Sequence, residues 1–290
     1  MANTLITPKI IAKEALMALN SNAVMSNLVH RDYSEEFVHV GDTITIRKPA
    51  TFTANEFGGS IQVQDAKETG VPVKMDKLLD VSFTVTTKER SLDIEDFSQQ
   101  FIKPAAEALV QKMDALLIGL EASCTNRVNH TTGEIALKDI LDARKMLNSK
   151  KAPLTDRSLV FGTDAEAELL ANELFLAADK VGDEGTALRE ASLGRKLGFN
   201  CYLDQNIAKV SESYVPSLAF NKNAFALVTR TPDLPTGAAS AYIENYNGFG
   251  IRVVEDYDIK TKSETISLDM LCGVAILDQS LAAIIADSRA

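Results

Sequence analysis

Residues able to carry chemistry are scarce in this chain. Its 290 residues include only three histidines, His30, His39 and His130, and three cysteines, Cys124, Cys201 and Cys272. The histidines show neither HxH nor HExxH spacing, so they read as surface or interface residues rather than metal ligands. The cysteines are odd in number, far apart and without a CxxC pair, which leaves no disulfide framework and no thiolate metal knuckle. They read as small buried hydrophobes kept reduced in a cytosol, in keeping with an N-terminus that shows no secretory segment. GxSxG, GxxxxGK[ST] and GxGxxG are all missing, which removes the nucleophile elbow, the P-loop and the dinucleotide fingerprint. Gly194-Arg195-Lys196-Leu197-Gly198 has glycine and base but not phosphate-loop order, and reads as a helix end with a glycine stop. Acidic neighbours such as Glu35 and Glu36, Asp93 and Asp96, or Asp164 and Glu166 fit solvent faces and helix starts better than acid/base pairs. The expected catalytic, cofactor and metal residues are therefore none.

Positive charge is also short. Lysine and arginine number 30 against 40 acids, a net charge of -10, whereas a general nucleic-acid binder shows basic clustering. No basic arm exists at the start: Lys9, Lys13, Arg31, Arg47 and Lys48 are offset by Glu14, Asp32, Glu35, Glu36 and Asp42. No apolar run approaches the roughly 20 residues of a membrane-spanning helix. The sequon Asn129-His130-Thr131 is read as chance without a secretory route. Hydrophobic content of 46% and charged content of 24% are those of a folded protein with a substantial core.

What is present is pattern. Ile44 and Ile46 alternate with Thr43, Thr45 and Arg47, and Val81, Phe83 and Val85 alternate with Ser82, Thr84 and Thr86, each apolar at period two. The spacing predicts the two arms of a ribbon. Between them Phe52 to Gln64, with Asn55, Gly58, Gly59 and Ser60, is too long for a tight turn. A lone two-stranded ribbon is marginal in water, so its apolar face must find another surface. Ahead of it, Thr7-Pro8 opens a short helix whose Ile11, Ala15, Ala18 and Leu19 share one side, and Val24 to Phe37 reads as an extended arm.

After the ribbon, Ser91 or Asp93 can cap a helix with Ile94, Phe97, Phe101, Ala105, Leu109, Met113, Leu116 and Leu120 on one stripe. Pro104 should kink or divide it. The middle reads as mixed α/β: a helix from Leu137 to Asn148, a strand from Ser158 to Phe161, a capping box at Thr163 to Glu166 opening a helix to Phe175, and strands Leu218 to Phe220 and Phe225 to Thr229 paired around Asn221, Lys222 and Asn223. Near the end, Gly248 to Val254 suggests a strand. Ile266, Leu268, Met270, Cys272, Val274 and Ile276 then alternate with Ser267, Asp269, Leu271, Gly273 and Ala275 in a long strand with one committed face.

Three segments carry a resemblance: Thr7-Pro8-Lys9-Ile10-Ile11-Ala12, Val29-His30-Arg31-Asp32-Tyr33 and Val40-Gly41-Asp42-Thr43-Ile44-Thr45-Ile46-Arg47-Lys48-Pro49. They resemble the opening of major capsid proteins of tailed bacteriophages, in the coat-protein group typified by phage P twenty-two. The resemblance implies an α+β chain of the Hong Kong 97 type capsid fold, without the inserted domain of the P twenty-two protein. Residues 1–35 would be the N-arm, 36–90 the extended loop, 91–132 the start of the peripheral domain with its spine helix, 133–240 mainly the axial domain, and 241–290 the return to the peripheral domain.

The function implied is a non-enzymatic coat protein that assembles with itself as pentamers and hexamers into an icosahedral shell around double-stranded DNA. Its implied partners are further copies, a scaffolding protein and a portal protein, with non-specific contact to the packaged DNA and no membrane. It would be made in the bacterial host cytoplasm and reside in the virion. One relative joins subunits through lysine and asparagine, but Lys48, Lys67, Lys74 and Lys77 are read here as solvated. Ile11, Ala15, Phe52, Phe57, Ile61 and Val63 are the candidate inter-subunit contacts. An encapsulin-like bacterial compartment is the alternative with the same fold, and an α/β enzyme a distant third.

Overall fold

The computed structural model describes residues 8–31, 43–48, 52–59, 63–64, 69–92, 97–130, 135–172, 193–207, 216–237, 240–246 and 249–287. Its helices are Pro8–Asn22 (α1), Met25–Leu28 (α2), Thr87–Leu92 (α3), Lys103–Ile118 (α4), Leu137–Ser149 (α5) and Thr163–Ala171 (α6). Its strands are Thr43–Lys48 (β1), Thr69–Lys74 (β2), Lys77–Thr86 (β3), Arg127–His130 (β4), Arg157–Phe161 (β5), Arg195–Lys196 (β6), Phe199–Leu203 (β7), Ser217–Asn221 (β8), Phe225–Arg230 (β9), Ser240–Tyr246 (β10), Phe249–Asp258 (β11), Ser263–Ile276 (β12) and Ala282–Asp287 (β13).

The spine stripe becomes α4, which buries Ala105, Leu109, Val110, Met113 and Leu117. The break expected at Pro104 is a π-helical turn, Ser98–Ile102, directly ahead of α4. Proline thus sits in the first turn of α4, where its missing N–H needs no partner. A separate short helix, α3, precedes the spine and contains Ser91; Thr86 caps it, its hydroxyl and amide both donating to Glu89 Oε2 at 2.7 and 2.9 Å. Asp93 lies outside the described residues.

An antiparallel sheet in the order β10-β11-β12-β3 lies under α4 and α1, and β9 pairs with the far end of β12. Every second residue of β12 from Ile266 to Cys272 is fully buried, as the alternation predicts. A second, six-stranded sheet runs β4-β13-β8-β5-β7-β6. Its inner strands are apolar at successive positions because both faces are covered. Val160, Leu218, Phe220 and Ile284 join the α1–α4 core, and their neighbours Leu159, Phe161, Ala219 and Ile285 join a core under α5 and α6.

Several expectations are corrected. Val81, Phe83 and Val85 do not form the second ribbon arm: β3 pairs with β12 from Thr86↔Ser263 to Lys77↔Cys272, and the ribbon is closed instead by β2. The strands flanking Asn221 to Asn223 are present but not paired with each other. A 3-10 turn at Lys222–Ala224 carries the chain from one sheet, where β8 pairs with β5 and β13, to the other, where β9 pairs with β12. Residues 194–198 are no helix end: Leu197 and Gly198, both at positive φ, turn β6 into β7 as a two-residue hairpin. His130 ends strand β4 beside β13 rather than sitting in a loop. Gly162, not Thr163, precedes α6, and no side-chain cap forms there. Phe175 lies outside the described residues.

Of the expected arm, residues 24–31 pack on the chain's own core, and residues 32–37 lie outside the described residues. Met25, Ser26 and Val29 are fully buried, and His30 bridges to β9 through N–H and C=O bonds with Phe225 and Leu227, each 3.0 Å. The Arg31 guanidinium stacks over Phe249 at 4.4 Å.

Candidate functional site

The ribbon β1–β2 is a sheet of its own, in register from Thr43↔Lys74 to Lys48↔Thr69. Pro72 is tolerated in it because a two-stranded ribbon has a free edge on each side. At its near end the sticky face is covered by this chain: Ile46, Val73 and Met75 are buried against Ala226, Val228 and Leu277. At its far end nothing in the described chain covers it. Phe52 is 66% exposed, Phe57 76% and Val63 88%. The two limbs are nevertheless joined: the Thr53 amide donates to Gln64 Oε1 at 2.8 Å, and Gln64 Nε2 donates back to the Thr53 carbonyl. A side-chain amide thus replaces a missing ladder pair, and Gly59 supplies a positive φ of 97° at the tip.

A second feature lies where α4, the N-terminal segment and the end of β7 meet. Asp114 of α4 is fully buried and accepts from the Val24 amide at 3.0 Å, the Ser26 amide at 2.8 Å and the Ser26 hydroxyl. Burial pushes its carboxyl up; the Ser26 bonds oppose that, and the charge of Asp204 adds to it. Asp204 is 1% exposed and is itself pushed up by burial. Its Oδ1 accepts from Asn206 N and Nδ2 at 2.8 and 2.9 Å, and its buried Oδ2 has no partner among the described residues. A cleft of about 410 Å³ beside them is lined by Val24, Glu107, Gln111, Asp204 and Asn206.

Among the described residues no three histidine, cysteine or acidic side chains are grouped to hold a metal, and no helix is long and apolar enough to cross a membrane. Burial pushes Cys124, Cys201 and Cys272 up to about 11, so each is a thiol rather than a thiolate nucleophile at neutral pH.

The candidate contact residues divide. Phe52, Phe57 and Val63 are all exposed in the segment beyond the far end of the ribbon, and Ile61 lies outside the described residues. Ile11 and Ala15 are placed differently: both are fully buried on the face of α1 that packs against α4, β10 and β11, where this chain itself covers them. The outward face of α1 carries Ile10 and Met17 instead, 42% and 63% exposed. Gln64 and Asp114 escaped sequence reasoning, since an amide in a loop and an acid in a helix look like solvated residues. Gly273 did carry a signal, a glycine inside an apolar strand.

No family model and no curated protein matches the sequence. Solved structures do match. That of Mycobacterium phage Che8 aligns with TM-score 0.69 at 18% identity, over 91% of this chain and 90% of that one. The capsid structure of the cyanophage P-SCSP1u aligns with TM-score 0.62 at 13% identity, over 87% and 85%. A virus-like particle from Pyrococcus furiosus aligns with TM-score 0.54 at 15% identity, over 97% and 98%. The fold is therefore α+β of the Hong Kong 97 capsid type, along nearly the whole chain.

Proposed function

We propose that this chain is a capsid shell subunit, which assembles with copies of itself as pentamers and hexamers into a closed icosahedral shell. The observation that carries this is the ribbon, whose far end presents Phe52, Phe57 and Val63 to water while its near end is seated on its own subunit. An apolar tip held out on a two-stranded support is unstable in isolation and complementary to a neighbour. Shell strength then comes from many modest contacts summed by closed symmetry.

The cargo is double-stranded DNA of a tailed bacteriophage, and the protein is of the P twenty-two coat type suggested by its first 49 residues. A net charge of -10 suits walls that do not grip DNA, because condensation by charge would need basic arms. The ribbon β1–β2 with its tip supplies the extended loop, the six-stranded sheet with α5 and α6 mainly the axial domain, and α4 with the sheet of β3 and β10 to β12 the peripheral domain. Scaffolding and portal proteins are the expected assembly partners, and the host cytoplasm the place of assembly.

A second reading, an encapsulin-like compartment, is favoured by one observation, the 98% coverage of the Pyrococcus furiosus particle chain. Purified particles separate the two. The phage reading expects that, made with the adjacent phage genes, they contain nuclease-protected DNA. Protein cargo without DNA selects the compartment, and a chain that stays monomeric beside all its structural partners contradicts both.

A further inference from the structure

Strand β12 changes partners along its length. Ser263 to Cys272 pairs with β3, and Leu271 to Ile276 pairs with β9. Because β3 begins at Lys77 opposite Cys272, Gly273 is the first residue of β12 beyond the end of β3. At that place the link from β2 into β3 crosses it. A Cβ added to Gly273 would overlap the Lys74 carbonyl oxygen and would lie 3.0 Å from Lys74 C and 3.2 Å from Met75 Cα. All three are backbone atoms, so no rotamer change relieves the overlap. Gly273 is not among the positive-φ glycines, which leaves close approach as the reason for a glycine here.

The crossing coincides with the seat of the ribbon. Gly273 is paired with Val228, and Val228 belongs to the small core that holds Ile46, Val73 and Met75. The ribbon therefore rests on β12 and β9 by backbone against backbone, beside an apolar patch, and leaves the sheet at this point.

We propose that Gly273 is a positioning residue for the inter-subunit clasp: it sets the angle at which the ribbon leaves the sheet, and hence where Phe52, Phe57 and Val63 land on a neighbour. The proposal rests on the shell-subunit reading. The geometry gives leverage, since six strand residues span about 20 Å and a tilt of about 10° at the seat moves the far end by about 3.5 Å. Such a shift is enough to lift an aromatic side chain out of a close-packed site.

The test compares the full-length wild type with Gly273→Ala under identical assembly conditions, by thermal unfolding, hydrogen exchange and electron microscopy. The variant should keep a cooperative transition and unchanged exchange in β11 and the paired part of β12, while amides of Val71 to Met75 exchange faster. Its yield of closed particles of wild-type diameter should fall at least about tenfold, because one altered contact is repeated throughout the shell. Wild-type yield and diameter from the folded variant overturn the proposal. Should Gly273→Ala fail to fold, one glycine inserted between Met75 and Asp76 unseats the ribbon without touching β12. Folded subunits that no longer close support the proposal, and normal shells from that variant overturn it. Wild-type protein that never assembles overturns the shell reading itself, an outcome visible before any variant is compared.

Discussion

Asp114 shows how one side chain can bind a chain terminus to a core. Three donors from Val24 and Ser26 converge on its carboxylate, so Asp114→Ala strands one buried and one part-buried backbone N–H group and a buried hydroxyl. Each such group costs about 1–3 kcal/mol, and the variant should lose about 3 kcal/mol or more of stability in urea unfolding. Asp204 lacks such a set of converging donors, and its burial governs a pH dependence. Its carboxyl is raised by burial, so the folded chain holds that proton at pH values where the unfolded chain has released it. Stability from this group is therefore present at acidic pH and declines as pH rises from the ordinary carboxylate range through the raised value. Asp204→Asn keeps an acceptor for Asn206 and removes the charge. It should stabilise the protein at pH 7 by on the order of 1 kcal/mol and flatten that part of the pH profile. A variant less stable than wild type at pH 7 would show that the charge is favourable there. Neither role can be read from sequence, because the donors to Asp114 lie about 90 positions away and the burial of Asp204 is a property of the fold.

Periodicity was legible at the scale of elements, and partnership was not. The alternation in β12 and the steps of three and four in α4 and α5 match their burial, because one face of each packs on a core. The alternation of Val81, Phe83 and Val85 was equally clear, yet period two states which face is apolar and not which strand lies alongside. The same limit explains β8 and β9, whose short connection resembled a hairpin and instead turns the chain from one sheet to another. The N-terminal helix was legible as amphipathic, but not as core: Ile11, Ala12, Ala15, Leu16 and Leu19 are all buried in the main cluster. Ile11→Ala should therefore cost about 3 kcal/mol, and removal of residues 2–22 should abolish or sharply weaken cooperative thermal unfolding. A truncated chain with wild-type melting would return α1 to the status of a detachable arm.

The tip of the ribbon was legible by composition, apolar residues among glycines in a segment too long for a turn. In the structure its exposed apolar side chains sit on a support whose base belongs to the subunit. Limited proteolysis should nick residues 52–59 first in free subunits and leave them uncut in particles. Phe57→Asp should leave the melting temperature within about a degree, since an exposed site away from the core changes stability little, while suppressing assembly.

At the scale of the molecule, two cores share the six-stranded sheet, and among the described residues the ribbon carries exposed apolar side chains at its far end. The shell account turns on where that end goes. Electron cryomicroscopy of particles formed by the full chain tests this most directly, through a reconstruction fine enough to trace residues 52–64. The account predicts a closed icosahedral shell in which Phe52, Phe57 and Val63 of each subunit are covered by an adjacent copy. Particles in which the ribbon folds back on its own subunit, or in which those three side chains remain in solvent, would contradict it.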